Sequence, residues 1–265
     1  STNLGDVWEE QMLPSYNGYF YGIEALESGR TIVVGQSGTA AVSDDDGDSW
    51  SAVPTGSTNT LFTLSQIDGD VVLAAGASGT LLRTVDGGDN WEPITSGTTS
   101  QIQSIDFASA TTGLFVTADG EIYRSEDGGD SWTAQTSGVA TSLNEVIMVS
   151  EAEAWIAGDD GVLLHTTDAG TTWSAVTVGS TFTTVDFKGM EVSLGQVRVV
   201  GLAGDGSSTF VASYDGVNEV LVKEETDPDQ KPYHPVAITT VSDDVSIMVG
   251  ENGRVSRYLS ETYTR

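Results

Sequence analysis

The octet SEDGGDSW at residues 125–132 has three near-copies in the chain: SDDDGDSW at 43–50, TVDGGDNW at 84–91 and TTDAGTTW at 166–173. Their tryptophans, Trp50, Trp91, Trp132 and Trp173, stand 41 residues apart each time, and Trp8 precedes the first by 42. A period of about 40 to 50 residues belongs to arrays of one supersecondary unit that cannot bury its apolar face alone. A second column keeps the same step through Gly35, Gly76, Thr117 and Gly158, and continues less regularly through Gly201 and Gly250. Each member closes an apolar run such as TIVVG or VLAAG. A further turn glycine follows three residues later at Gly38, Gly79, Gly120, Gly161 and Gly253. Two β-rich runs joined by a short glycine-bearing link read as a hairpin.

Upstream of each hairpin lies one more strand signal, in GYFYGI, TLFTL, QIQSI, SLNEV, TFTTV and HPVAI. Each unit therefore reads as four short strands, the last beginning at the tryptophan. Helical periodicity is absent, which excludes helical solenoids. Four-stranded units repeated around an axis make a β-propeller, whose radial repetition leaves only short protected edges. The expected fold is all-β, a single six-bladed propeller of four-stranded antiparallel blades over residues 1–265. Inner strands are expected near Phe20, Leu61, Ile102, Leu143, Phe182 and Pro235, in blades at about 18–54, 59–95, 100–136, 141–177, 181–222 and 233–260. The last unit has no tryptophan strand, whereas the chain opens with DVWEEQML. Residues 6–13 are expected to supply the missing outer strand and close the ring, which removes the loose end of an open array.

Within each octet the chain must turn back into the tryptophan strand. Asp45, Asp86, Asp127 and Asp168 can accept backbone N–H bonds in that turn, and the glycine two residues later supports a left-handed conformation. Trp50, Trp91, Trp132 and Trp173 then bury a large ring between units. The pattern S/T-x-D-x-G-x-S/T/N-W resembles the Asp-box, or BNR, repeat of sialidases and related propellers. With the G-x-x-G spacing upstream, as in VTADGEIYRSEDGGDSW, it is most similar to the photosystem II stability and assembly factor-like branch of that superfamily. The resemblance covers nearly the whole chain. It implies a propeller whose Asp boxes lie at the blade periphery, away from the central pocket. The fifth unit keeps only SYDGVNEV and the sixth has lost the box, so the boxes read as stabilisers of single blades. SDDDGDSW does not fit a calcium loop, since the D-x-[DN]-x-[DN]-G register fails and no glutamate closes it. No metal and no cofactor are expected.

Lysine and arginine total 10 against 39 acids, a net charge of −29. A chain this acidic cannot assemble the cationic face that phosphate neutralisation needs, which excludes nucleic acid and anionic membrane surfaces as partners. The only lysines are Lys188, Lys223 and Lys231. Regular aromatic and β-branched positions argue against disorder. The composition fits a folded protein working in concentrated salt, where the Debye length falls to about 3 Å at 1 M and self-repulsion is screened. A haloarchaeon or one of its viruses is the expected source. The expected setting is a hypersaline cell surface, extracellular space or virion, or the cytoplasm of a salt-accumulating archaeon. With no cysteine, disulfides and thiolate metal sites are excluded. No apolar run reaches the roughly 20 residues of a membrane span, so no membrane insertion is expected.

A sialidase-like enzyme would need an arginine triad, a tyrosine–glutamate nucleophile and an acid/base carboxylate. Arg83 and Arg124 fall in one repeat column just before the box, with His165 and Arg257, and such a column reads as arginines bridging to neighbouring acidic turns. Tyr19, Tyr21, Glu24 and Glu145 fall on or beside inner strands and are able to approach a channel, but paired carboxylates for glycoside hydrolysis need a separation that sequence does not supply. No catalytic residue is assigned. Binding is placed instead where the repeat breaks. The stretch VKEETDPDQKPYHP, 222–235, holds Lys223, Glu224, Glu225, Asp227, Asp229, Lys231, Tyr233 and His234, and long loops on rigid scaffolds commonly carry function. The other candidates are residues at the channel mouth, Tyr19, Tyr21, Phe62, Gln103 and Asn144. The smaller insertion GMEVSLGQ, 189–196, reads as a lengthened hairpin. The expected function is a non-catalytic scaffold with protein partners, as an assembly factor or as part of a surface assembly or virion. The alternative is a carbohydrate-active propeller, glycan-binding or hydrolytic, with its site in the channel.

Overall fold

The computed structural model describes residues 18–176, 184–193, 195–203, 209–214, 219–222, 235–242, 245–250 and 254–259. Trp8, Phe182, Gly253, the expected closing strand at 6–13 and the candidate residues Lys223, Glu224, Glu225, Asp227, Asp229, Lys231, Tyr233 and His234 lie outside them.

The described residues are all-β apart from short turns, and they form antiparallel sheets of three or four strands. The first sheet runs through Phe20–Ala25, Thr31–Gly35, Thr39–Ser43 and Ser51–Pro54. Three further sheets repeat it from inner strands Leu61–Asp68, Ile102–Phe107 and Leu143–Met148. The fifth begins with Val185–Ser193, and the sixth has three described strands, Pro235–Ser242, Val245–Gly250 and Arg254–Leu259. Successive inner strands lie beside one another from the first sheet to the sixth.

Apolar cores fill the space between sheets. Ile32, Val34 and Val42 of the first sheet pack with Leu64, Leu82 and Trp91 of the second, and Leu73 and Ala75 of the second with Ile105 and Phe115 of the third. Equivalent cores join the third sheet to the fourth and the fourth to the fifth. Each fully buried aliphatic or aromatic side chain is worth roughly 1.5–3 kcal/mol, so the stacking of sheets holds the fold together. Trp132 packs against Phe115, with ring centroids 4.7 Å apart, and edge-on to Phe107 at 5.9 Å.

The glycine column marks where the second strand of a sheet closes on the start of its inner strand. A Cβ at Gly35 would stand 2.1 Å from the Tyr19 carbonyl oxygen, and one at Gly76 2.1 Å from that of Thr60. The box is a turn stitched to itself. In the third sheet Ser125 Oγ donates to Asp127 at 2.8 Å, and Asp127 accepts from the Ser131 amide at 2.9 Å and the Ser131 hydroxyl at 2.6 Å. The Trp132 indole N–H donates to the Gly129 carbonyl at 3.1 Å. Asp45, Asp86 and Asp168 accept the same set of bonds. Trp50 and Trp91 repeat the indole bond, whereas the Trp173 indole nitrogen is buried with no partner among the described residues.

The fifth inner strand departs from its expected place. Phe187 pairs with Gly201, the register that Leu143 keeps with Gly158, so Phe187 rather than Phe182 holds the inner-strand position of Phe20, Leu61, Ile102 and Leu143. The run TFTTVDF carries two apolar phases, Phe182 in one and Val185 with Phe187 in the other, so the pattern alone does not fix a register. The hairpin is extended through Gly189 and Ser193, and pairs as far as Ser193 with Gln196.

Candidate functional site

The inner strands share an irregularity that repeats in register. Every described inner strand slips its pairing at one residue in the same repeat register, between Phe20 and Gly22, Leu61 and Thr63, Ile102 and Ser104, Leu143 and Glu145, Phe187 and Gly189, and Pro235 and Ala237. Such a bulge leaves one residue out of the ladder and re-aims its side chain. The residues so released are Tyr21, Phe62, Gln103, Asn144 and Lys188, and Val236 stands at the matching register position of the sixth sheet. Four of them are mouth candidates named from sequence. Lys188 was hidden by the slipped register of the fifth strand.

The row changes character along the sheets. Tyr21 is half exposed and its ring lies 5.3 Å from that of Phe62, while Tyr19 beside it is 70% exposed. The Gln101 amide donates to the Gln103 carbonyl oxygen at 2.7 Å, and the Gln103 amide reaches Ser142 Oγ at 3.5 Å. Ser142 donates to Asn144 Oδ1 at 2.9 Å. The Asn144 amide donates to Asp159 and to the Phe187 carbonyl, both at 2.7 Å. Lys188 donates to Asp159 at 2.6 Å and lies 3.9 Å from Asp186. An aromatic end thus passes through an amide and hydroxyl middle to an acidic end. Just upstream, Ser100 and Thr141 keep buried hydroxyls without partners among the described residues.

Deeper along the same strands stand Glu24, Asp106 and Glu145. Asp106 accepts from the Met148 amide of the next inner strand at 2.7 Å, and Glu145 from the Met190 amide of the one after at 2.5 Å. These bonds satisfy strand edges that face no ladder partner. Burial pushes the Glu145 carboxyl up to about 8, with the Asp106 charge adding to the rise. Burial likewise raises Glu24 to about 7, again with Asp106 contributing, and Asp106 to about 6. Glu24 and Glu145 were seen from sequence as able to approach the channel; Asp106 was missed, although it stands at the Glu24 position of its strand.

The boxes are at the opposite end of the sheets. Ser43, which opens the first box, pairs with Thr31, and Thr31 with Ala25, the last residue of the inner strand. Hydrogen bonding holds Asp45, Asp86, Asp127 and Asp168 below the usual carboxylate range, chiefly through the side chains of Ser49, Asn90, Ser131 and Thr172. They are ionised turn fasteners.

The arginine column is structural, as its periodicity indicates. Arg83 pairs with Asp130 in the next box turn, and Arg124 reaches Glu126 and the Glu151 carbonyl. His165 stacks on Trp155 at 3.9 Å and bonds Glu153 at 3.0 Å. Arg30 pairs with Asp44 and Asp89 and closes a cleft of about 400 Å³ beside the first two boxes, which makes that cleft a crosslink between turns. Among the described residues no arginine cluster adjoins these buried acids, and no group of histidines and carboxylates is arranged to hold a metal. No helix among them is long and apolar enough to cross a membrane.

Residues 88–185 match the family model of the photosynthesis system II assembly factor YCF48. YCF48 from Cyanidioschyzon merolae superposes with a TM-score of 0.70 at 15% identity, over 93% of this chain and 84% of that one. YCF48 bound to D1 peptide superposes at 0.51 with 17% identity, over 96% and 95%. The GH74 enzyme of Niastella koreensis superposes at 0.71 with 16% identity, over 89% of this chain and 41% of its own. Comparison with curated protein sequences gives no match. At these identities the likenesses speak for the fold, an Asp-box β-propeller like that of the assembly factors.

Proposed function

We propose that this chain is a non-catalytic propeller that binds a protein partner at the channel mouth, as an assembly factor or as a component of a larger assembly in a high-salt setting. The observation that carries the reading is the row of bulges, which turns a half-exposed side chain to the same end of successive sheets. A scaffold that spends a bulge on every inner strand presents those residues rather than burying them. The family match over 88–185 and the YCF48 structure with a bound peptide support a protein partner. The test is purification from the native source in high salt, with crosslinking and identification of bound protein. Replacing Tyr21 and Phe62 by alanine should reduce recovery of that partner at least about tenfold, since buried aromatic anchors carry most interface energy. A protein that recovers no partner and binds oligosaccharide instead would favour the channel-centred carbohydrate reading.

We further propose that six blades close into a ring, residues 6–13 completing the last. Ile23 supports this. Its counterparts Leu64, Ile105, Val146, Met190 and Ile238 are only 2–8% exposed, those of the second to fifth sheets packing on the preceding sheet, yet Ile23 is 67% exposed among the described residues. Ile105 shares a core with Ala75 of the preceding sheet, and the register equivalent of Ala75 in the sixth sheet is Val249. With no native cysteine to interfere, the pair Ile23→Cys and Val249→Cys should form an intramolecular disulfide and stabilise the fold by about 2 kcal/mol. Only intermolecular disulfides, or none, would sink the closed ring.

A further inference from the structure

We infer that the mouth receives an extended cationic segment of the partner, with an apolar side chain on Tyr21 and Phe62 and a lysine or arginine held by Asp159 and Asp186. This rests on the protein-binding reading above and adds the chemistry of the ligand.

Three features of the row lead to it. At one end Tyr21 and Phe62 form a tilted aromatic pair with Tyr21 half exposed, a surface that takes an apolar or aromatic side chain. In the middle, the Gln101 side-chain Oε1 has no partner among the described residues, and Gln103 uses its side-chain amide N–H only in a long 3.5 Å bond. One free acceptor and one weakly used donor, side by side, match the N–H and C=O of a peptide unit passing in extended form. At the other end Lys188 is, among the described residues, the one ammonium beside Asp159, Asp160 and Asp186, and its contacts are to Asp159 at 2.6 Å and Asp186 at 3.9 Å. The Asp159 and Asp186 side chains are about three-tenths exposed. That end keeps an excess of negative charge open to solvent, and the net charge of −29 repels acidic segments.

The order of the three features also sets a direction: along the bound segment the apolar residue and the cation are separated by a stretch read through its main chain. The probe is a short dye-labelled peptide alternating lysine with phenylalanine, compared with versions carrying glutamate for lysine or alanine for phenylalanine, followed by fluorescence anisotropy with the full chain. The lysine–phenylalanine peptide should bind about tenfold more tightly than either control. Tyr21→Ala with Phe62→Ala should erase the preference for phenylalanine. Asp159→Asn with Asp186→Asn should erase the preference for lysine, whereas Asp46→Asn with Asp48→Asn, which removes the same charge at the far end, should leave it. Because contacts between exposed charges are screened, the lysine preference should also shrink in molar salt. Equal binding of all three peptides, or equal loss in the two aspartate pairs, would overturn the inference. The protein-binding reading fails separately, if no partner is recovered from the native source. A native partner still recovered by the Tyr21→Ala, Phe62→Ala protein would leave that reading standing while removing the mouth.

Discussion

Raising the pH from about 6 to about 9 should destabilise this protein, and the substitution Glu145→Gln should remove much of the loss. Glu24, Asp106 and Glu145 all have carboxyls raised by burial, to about 7, 6 and 8. Between the ordinary carboxylate range and pH 8 the folded chain therefore binds more protons than the unfolded one, and stability falls as pH rises. The penalty is absent where both states are protonated and complete above about 8. Surface carboxylates are already ionised in this window, which isolates the effect of the three buried acids from the self-repulsion of the acidic surface. Glutamine keeps an oxygen to accept the Met190 amide but has no charge to bury. The variant should come closest to the parent near pH 4 and exceed it at pH 9 by a few kcal/mol, as an order of magnitude. Thermal melts across the range decide it, and parallel slopes for parent and variant would refute the assignment to Glu145.

The box aspartates work in the opposite sense. Their carboxyls are held low by hydrogen bonds, so what they contribute is present above the ordinary carboxylate range and lost as pH falls through their folded values. The two sets of acids bracket a stability maximum between them, in the mildly acidic range. Both sets come from the same repeat. At the far end of the sheets the carboxylate closes a turn in solvent; along the inner strands it satisfies a neighbour's amide under burial.

How far the sequence carried is clearest from individual residues. The 41-residue step located the four-stranded units, because tryptophan and glycine recur where packing and close backbone approach tolerate little else. It also placed Tyr21, Phe62, Gln103 and Asn144 at one end of their strands, since an inner-strand position follows directly from the repeat. The bulges were not legible. A bulge is a property of pairing, and Phe62 reads the same in or out of the ladder. Lys188 was lost for a related reason: the run before it holds two apolar phases and so offers two registers, and only pairing of Phe187 with Gly201 selects one. Asp106 was written in the repeat as the counterpart of Glu24, but its importance comes from reaching the Met148 amide of another sheet, a contact that no local pattern encodes.

The box itself yields the other large effect. Gly129→Ala should lower stability by about 3 kcal/mol and leave partner binding at the mouth unchanged once the protein is folded. Gly129 has φ +85, a conformation that costs a side-chain-bearing residue roughly 1–2 kcal/mol. An added Cβ would stand 2.6 Å from Leu73 Cδ1 of the preceding sheet and 3.4 Å from Phe107, and overpacking of this kind costs about 1–3 kcal/mol more. Gly88 is the matching case, with a Cβ 3.1 Å from both Ile32 and Val42. By contrast Gly138, also left-handed, has open space around it, so Gly138→Ala should cost only the backbone part. The difference between the two variants, read from denaturant melts, measures how tightly the box turn is pressed into the neighbouring sheet. If they cost the same, the box is a surface turn with no part in stacking the sheets. If Gly129→Ala abolished binding in folded protein, the separation between the fastening end and the mouth would be wrong. Gly129 of SEDGGDSW thus presses on the core of the neighbouring sheet, and its amide is held by Ser125 Oγ at 2.8 Å, the hydroxyl that itself donates to Asp127.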